Sequence, residues 1–243
     1  MKAPVLIIGA HRSGTSATAR ALELVGLQIG QRLDSHRESR ALQELHEEYL
    51  HRVGASWFNP APFLELIQTP DGLRDCTEYL RSNMDAHFAK IFGYRNNPSG
   101  LWLRWRLKFG AAWGWKEPRT TLFGPAWLKI FPEARIVHVA RDALAAAESI
   151  RERELKFQAA GDPPTPNLAD LNCCRKLVES YLAAGERLAS AGNYQRLQFE
   201  ELQANPPAML ERLANSCGLR PTTRQLATAA ASIRPARVRS IAP

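Results

Sequence analysis

Val5 to Leu22 reads VLIIGAHRSGTSATARAL. A short apolar run enters a glycine-bounded loop, Gly9-Ala10-His11-Arg12-Ser13-Gly14-Thr15-Ser16, and a helix-forming segment leaves it. The unbroken hydrophobic run predicts a parallel strand covered on both faces, since a half-exposed strand would alternate. Strand, glycine loop and helix is the layout of a phosphate loop, G-x-x-x-x-G-K-S/T, whose backbone N–H groups and helix N-terminus cradle an anion. Here Thr15 stands where that motif has its lysine, and the only cation in the loop is Arg12, two residues ahead of Gly14. A guanidinium placed there is suited to fork onto a terminal oxyanion. The expected anion site is therefore Arg12, Ser13, Gly14, Thr15 and Ser16, with Gly14 letting the backbone approach the ligand closely.

Outward from this loop the chain alternates strand and helix. Thr15 to Val25 has helical periodicity and stops at Gly26; Ala41 to Val53 is a second amphipathic helix. AAWGWKEPRTTLF predicts a strand ending at Lys116, with Pro118 in the first turn of the next helix. Ala134 to Asp142 (ARIVHVARD) is a strong strand followed by the helix ALAAAESIRERELKF; a helix over Leu171 to Ala189, the strand YQRLQF and a helix over Pro206 to Ser216 complete the pattern. This alternation predicts an α/β, three-layer P-loop-type fold with a central parallel sheet flanked by helices. Ligands in such sheets sit at the carboxyl ends of the strands, which puts the Arg12 loop, Lys116 and Arg141 on one rim.

At 243 residues the sequence fits a single domain, 1–243, with a mainly helical and loop insertion at about 57–108. A proline-rich, mobile loop is expected at about 158–170, where three prolines and a glycine interrupt the periodicity, and a basic tail at about 232–243. A composition 45% hydrophobic and 23% charged supports a full core, and a net charge of +8 with pI near 9.6 favours anionic ligands. The four cysteines, Cys76, Cys173, Cys174 and Cys217, form no C-x-x-C pair and read as reduced thiols. Pro4 to Ile8 is too short for a signal core or a membrane span, so the expected location is cytoplasmic. No histidine spacing suggests a metal site.

GAHRSGTS resembles the 5′-phosphosulfate loop of sulfotransferases that use 3′-phosphoadenosine 5′-phosphosulfate (PAPS), in the arginine form of tyrosylprotein and bacterial carbohydrate-type enzymes. IVHVARDALAAAESIRER is similar to that family's 3′-phosphate segment, in which a strand ends in Arg and a Ser follows eight residues on. Arg141 and Ser149 have that spacing, and Arg153 shares a helical face with Ser149 at i, i+4. WGWKEPR resembles the segment that supplies a lysine to the sulfuryl group, with Glu117 in place of the usual Asp. LQFEELQANPPAMLERLANSCGL is similar to the family's C-terminal element, except that Phe199 takes the place of a tyrosine and forfeits its phenol.

The resemblance spans Pro4 to Leu219 and implies sulfuryl transfer from PAPS to a hydroxyl of a carbohydrate, glycolipid or small metabolite, without a metal. It implies that Arg12, Ser13, Gly14, Thr15, Ser16, Arg141, Ser149 and Arg153 hold the donor or its product, adenosine 3′,5′-bisphosphate. Arg12 and Lys116 would stabilise the transferred group, and Glu38 would be the base. Glu117, Glu48 and His36 are the other candidates for the base, and His11 a further group able to touch substrate. LWLRWRLKF, with Trp102, Trp105, Arg104, Arg106 and Lys108, reads either as an acceptor surface or as an amphipathic element with its tryptophans in the core. Arg234, Arg237 and Arg239 either fold back on the 3′-phosphate or fray. Two other functions remain open to the residues. A P-loop kinase would need Asp142 as a Walker-type acid and a lysine at position 15; a nucleic-acid-binding module would need interleaved basic and aromatic surface residues. The expected partner is a hydroxyl-bearing acceptor, with no nucleic acid and no membrane span; the sequence is silent on oligomeric state.

Overall fold

The computed structural model describes residues 3–30, 33–34, 37–91 and 110–235, the side chains of 85–91 excepted. Four parallel strands form the sheet: β1 (Val5–Ile8), β2 (Gly114–Lys116), β3 (Arg135–Ala140) and β4 (Tyr194–Gln198), in the order β2-β1-β3-β4. β1 is central, with Val5 level with Gly114 on one side and Arg135 on the other. Its alternate side chains enter two separate cores: Leu6 and Ile8 on one face, Val5 and Ile7 on the other. Two covered faces explain why the run carries no polar residue.

On the Leu6 face lie α2 (Arg40–Arg52), α3 (Ala61–Leu66), α4 (Pro70–Ile91), α5 (Thr120–Ile130), α6 (Ala143–Ala159) and α7 (Leu171–Glu186). A short 3-10 turn at Arg187–Ser190 extends α7 where one continuous helix to Ala189 was expected. Aromatic packing ties this layer together. Phe63 stacks on Phe123 at 4.4 Å, and Tyr49 meets both edge-on. Residues 57–84 thus pack against the helical layer on this face of the sheet. Residues 92–109, including Trp102, Arg104, Trp105, Arg106 and Lys108, lie outside the described residues.

The opposite face carries α1 (Thr15–Leu24), α8 (Phe199–Ala204), α9 (Pro206–Ser216) and α10 (Thr223–Ala231). Helix α10 begins with a reciprocal capping box between Thr222 and Gln225. The α5 helix starts two residues beyond Pro118, because the Glu117 carboxylate and carbonyl both accept from Thr120 N–H and so close the preceding turn.

The proline-rich segment is tied down at several points. Glu154 accepts from Thr165 N–H at 2.7 Å, Arg151 donates to the Ala169 carbonyl at 2.9 Å, and Leu168 is buried. Asp170 then caps α7 by accepting from Cys173 N–H at 2.8 Å. Glu154 and the cap thus anchor a segment most of whose residues are exposed. The four cysteines are all free thiols. Among the described residues no helix is long and apolar enough to cross a membrane.

Candidate active site

The loop after β1 is held from below. Thr121 of α5 accepts from Gly9 N–H at 2.8 Å and donates to the Gly9 carbonyl at 3.2 Å. Ser13 is buried, and both its hydroxyl and its N–H turn back to the Ala10 carbonyl, at 2.7 and 3.2 Å. Its side chain thus builds the loop and does not line the cavity above it. Arg12 and Gly14 have φ of +67° and +95°, a left-handed pair that swings the chain into α1 at Thr15. No side chain caps that helix. Its first amides therefore remain donors at the positive end of the dipole, as an anion site requires.

Gly14 is fixed by space as well as by φ. A Cβ there would come within 2.2 Å of the Phe199 ring. The phenylalanine that replaces the expected tyrosine is thus a wall behind the anion loop. Its packing depends on tertiary contact between β1's loop and α8, so no local signal could reveal it.

The cations converge on this loop. Arg12 donates through Nε to Ser149 Oγ at 3.0 Å, and Arg141 donates through Nη1 to the Arg12 carbonyl at 3.0 Å. The two sequence motifs, 137 residues apart, are in direct contact. Arg153 lies with its guanidinium 5.8 Å from the ring centres of both Trp57 and Phe157. Burial, then the nearby Arg12 charge, pushes its pKa below the ordinary arginine value. Arg234 also reaches the cavity, its backbone held where Gln203 donates to its carbonyl at 2.9 Å. Arg237 and Arg239 lie outside the described residues.

A cavity of about 380 Å³ opens between these groups, lined among others by Arg12, Gly14, Thr15, Ser16, Glu38, Lys116, Arg141, Arg153 and Arg234. Among the described residues, five cationic side chains face one carboxylate. That carboxylate, Glu38, sits just ahead of Ser39, which caps α2 by accepting from Leu42 N–H. Lys116, the last residue of β2 and 1% exposed, donates to Glu38 Oε1 at 2.5 Å and to Ser16 Oγ at 3.2 Å. Gln43 donates to the other Glu38 oxygen at 2.6 Å. Burial lowers the Lys116 pKa below the ordinary lysine value even though Glu38 pulls it upward.

The other candidates for the base separate on inspection. Glu117 is wholly buried, and both its oxygens are taken. Arg119 donates to Oε1 at 2.5 Å, while His46 and Thr120 N–H donate to Oε2 at 2.6 and 3.2 Å. Burial alone would raise its pKa, but Arg119 and His46 outweigh that and hold it well below the usual carboxylate range. Glu48 is exposed on α2 and does not line the cavity; His36 lies outside the described residues. His11 lines the cavity beneath the Trp57 ring, 4.6 Å away, and burial followed by the Arg119 charge holds its imidazole neutral. Asp142, the candidate Walker-type acid, is the N-cap of α6 and accepts from Ala145 N–H at 2.8 Å. Gln43, Thr121 and Trp57 were not singled out by sequence. Each is an ordinary helix or loop residue until the fold brings it to the loop or to Glu38.

The profile of the sulfotransferase family matches residues 4–223. No curated protein matches the chain in sequence. Among solved structures it resembles the sulfotransferase STF9 of Mycobacterium avium, at 16% identity and a TM-score of 0.52 over 94% of this chain and 67% of that one. It also resembles STF1 of Mycobacterium tuberculosis (15% identity, TM-score 0.53, 95% of this chain and 71% of that one). A third similar structure is mouse SULT7A1 in complex with PAP (12% identity, TM-score 0.52, 95% of this chain and 63% of that one).

Proposed function

The chain belongs to the sulfotransferase family, and from that premise we propose that it moves a sulfuryl group from PAPS to a hydroxyl of a carbohydrate, glycolipid or small metabolite in the cavity above β1. One observation carries this reading. The uncapped N-terminus of α1 and the side chains of Arg12, Lys116 and Arg141 share a single cavity with one carboxylate, Glu38. About 380 Å³ falls within the ~300–1,000 Å³ typical of small-ligand sites. The excess of cations and the free amides suit a ligand with two anionic ends. Bound there, the donor would supply an activated sulfuryl group on a phosphate leaving group.

The chain's own residues divide the remaining work. The amides of Thr15 and Ser16 with Arg12 hold the phosphosulfate end, and Gly14 keeps that approach clear. Arg141, Ser149 and Arg153, joined by Arg234, hold the 3′-phosphate. Lys116 supplies positive charge where negative charge grows, a kind of preorganised donor whose removal typically costs ~3–4 kcal/mol in the barrier. Glu38 takes the proton from the acceptor hydroxyl. Gln43 and Lys116 orient its two oxygens, and such a base contributes roughly 10²–10⁴-fold.

Calorimetry with adenosine 3′,5′-bisphosphate and with ATP–Mg²⁺ tests the reading. Metal-independent binding of the bisphosphate, tighter than that of ATP–Mg²⁺, is the expected result; the reverse order would replace it with a kinase. Labelled donor screened against sugars, phenols and lipids then identifies the acceptor class.

A further inference from the structure

Glu38 and Lys116 come from different elements, one preceding α2 and one ending β2. Their 2.5 Å contact therefore depends on how firmly α2 is seated on the end of β2. Directly behind the pair lies a buried polar cluster joining those two elements. His46 of α2 donates through Nδ1 to Glu117 Oε2 at 2.6 Å. Arg119 donates to Glu117 Oε1 at 2.5 Å and reaches Glu47 of α2 with its other terminal nitrogen. Trp127 of α5 donates to His46 Nε2 at 3.0 Å.

The proton positions follow from the donors. An indole N–H only donates, so His46 Nε2 keeps its lone pair and the single imidazole proton sits on Nδ1, facing Glu117. His46 is thus neutral, in line with burial lowering its pKa. Glu117 and Arg119 form a charge pair inside the core, both nearly inaccessible. A buried pair of this kind is a weak source of stability, and its best attested use is to specify one arrangement of the elements it joins. Stacking on Phe123 at 4.3 Å holds the plane of the His46 ring, and the contacts with Glu117 and Trp127 set its orientation in that plane.

We propose that His46, Glu117, Arg119 and Glu47 form a clamp that sets the register of α2 on β2 and so places Glu38 against Lys116; they are positioning residues for the transfer step. This rests on the reading of Glu38 as base. His46 and Glu47 lie on the helix that Glu38 precedes, whereas Lys116 is held in β2 level with Ile7 of β1, so a shift of the clamp moves Glu38 against a fixed Lys116.

Three variants test it by single-turnover rate and by calorimetric affinity for adenosine 3′,5′-bisphosphate. His46→Leu removes the donor to Glu117 and is expected to lower the single-turnover rate about 30-fold while leaving bisphosphate affinity within about twofold, on the pattern of groups acting only on the reacting geometry. His46→Asn, which keeps an N–H near Nδ1, is expected to recover most of that rate. Glu47→Ala cuts the solvent-side arm of the clamp without opening the core, and a three- to tenfold loss, again about that order, is expected. The deciding measurement places His46→Leu and Glu47→Ala in a Glu38→Gln background. A residue acting through Glu38 adds nothing there, so both double variants should match Glu38→Gln alone. Multiplying losses would overturn the clamp, as would affinity falling in step with rate in both His46→Leu and Glu47→Ala. Should Glu38→Gln itself keep full rate, the base assignment fails, an outcome distinct from multiplying losses, and the clamp that rests on it is overturned with it.

Discussion

Replacing Gly14 with alanine tests the anion loop most directly. An L-residue at φ +95° is strained by ~1–2 kcal/mol in the left-handed region. The new Cβ also meets Phe199 Cδ2 at 2.2 Å, with two more ring carbons at 2.5 Å, so the ring must retreat by about 1.2 Å to reach ordinary contact at 3.4 Å. Phe199 is only 9% exposed and has Leu202 and Leu210 in the same core, so the retreat overpacks, at ~1–3 kcal/mol. The sum, ~2–5 kcal/mol, corresponds to a fall in Tm on the order of 10 °C for a domain of this size. Displacing the amides of α1 by a fraction of an ångström should also weaken bisphosphate binding at least about tenfold. The assay is a thermal melt with calorimetry on Gly14→Ala, Phe199→Ala and the double variant. Space made by Phe199→Ala relieves the clash but leaves the backbone strain, so the cycle should return a favourable coupling of ~1–3 kcal/mol. Strictly additive effects, or a Gly14→Ala protein with unchanged Tm and affinity, would refute the reasoning.

Three further outcomes are expected. Arg141→Ala should weaken bisphosphate binding more than Arg141→Lys, because it loses both the proposed phosphate ligand and the support of the Arg12 carbonyl; equal affinities in calorimetry would contradict this. The alkaline limb of the rate profile should fall below the ordinary lysine pKa, because burial lowers Lys116 and the reaction needs its charge; a limb at or above that value removes Lys116 from the step. Stability should decline on acidification, because His138 is held down by burial to about 4, whereas the unfolded chain binds the proton at the ordinary imidazole value. Its contribution is whole above that value and is lost as pH falls toward about 4; urea titrations of His138→Gln should show about one proton fewer taken up on unfolding.

Much of the molecule could be read directly from the chain. Val5–Ile8 announces a doubly covered strand because both its faces are apolar. Gly14 and the uncapped Thr15 mark an anion loop, and the Arg141–Ser149–Arg153 spacing puts two of those residues on one helical face. These are local properties, set by backbone geometry within a few residues. The order β2-β1-β3-β4 was not local, nor was the contact of Arg12 with Ser149 across 137 residues. Glu117 illustrates the limit. Its sequence neighbourhood made it a candidate base beside Lys116, yet successive residues at a strand end point to opposite sides, and only packing could decide that Lys116 turns to the cavity while Glu117 goes inward to Arg119 and His46. Phe199 shows the same: as a letter it is a lost hydroxyl, and as a packed ring it is the surface that makes glycine the only residue that fits at position 14. Local chemistry fixes which groups are able to bind an anion or move a proton. Which of them meet depends on burial summed over distant segments, and no window of sequence contains that sum.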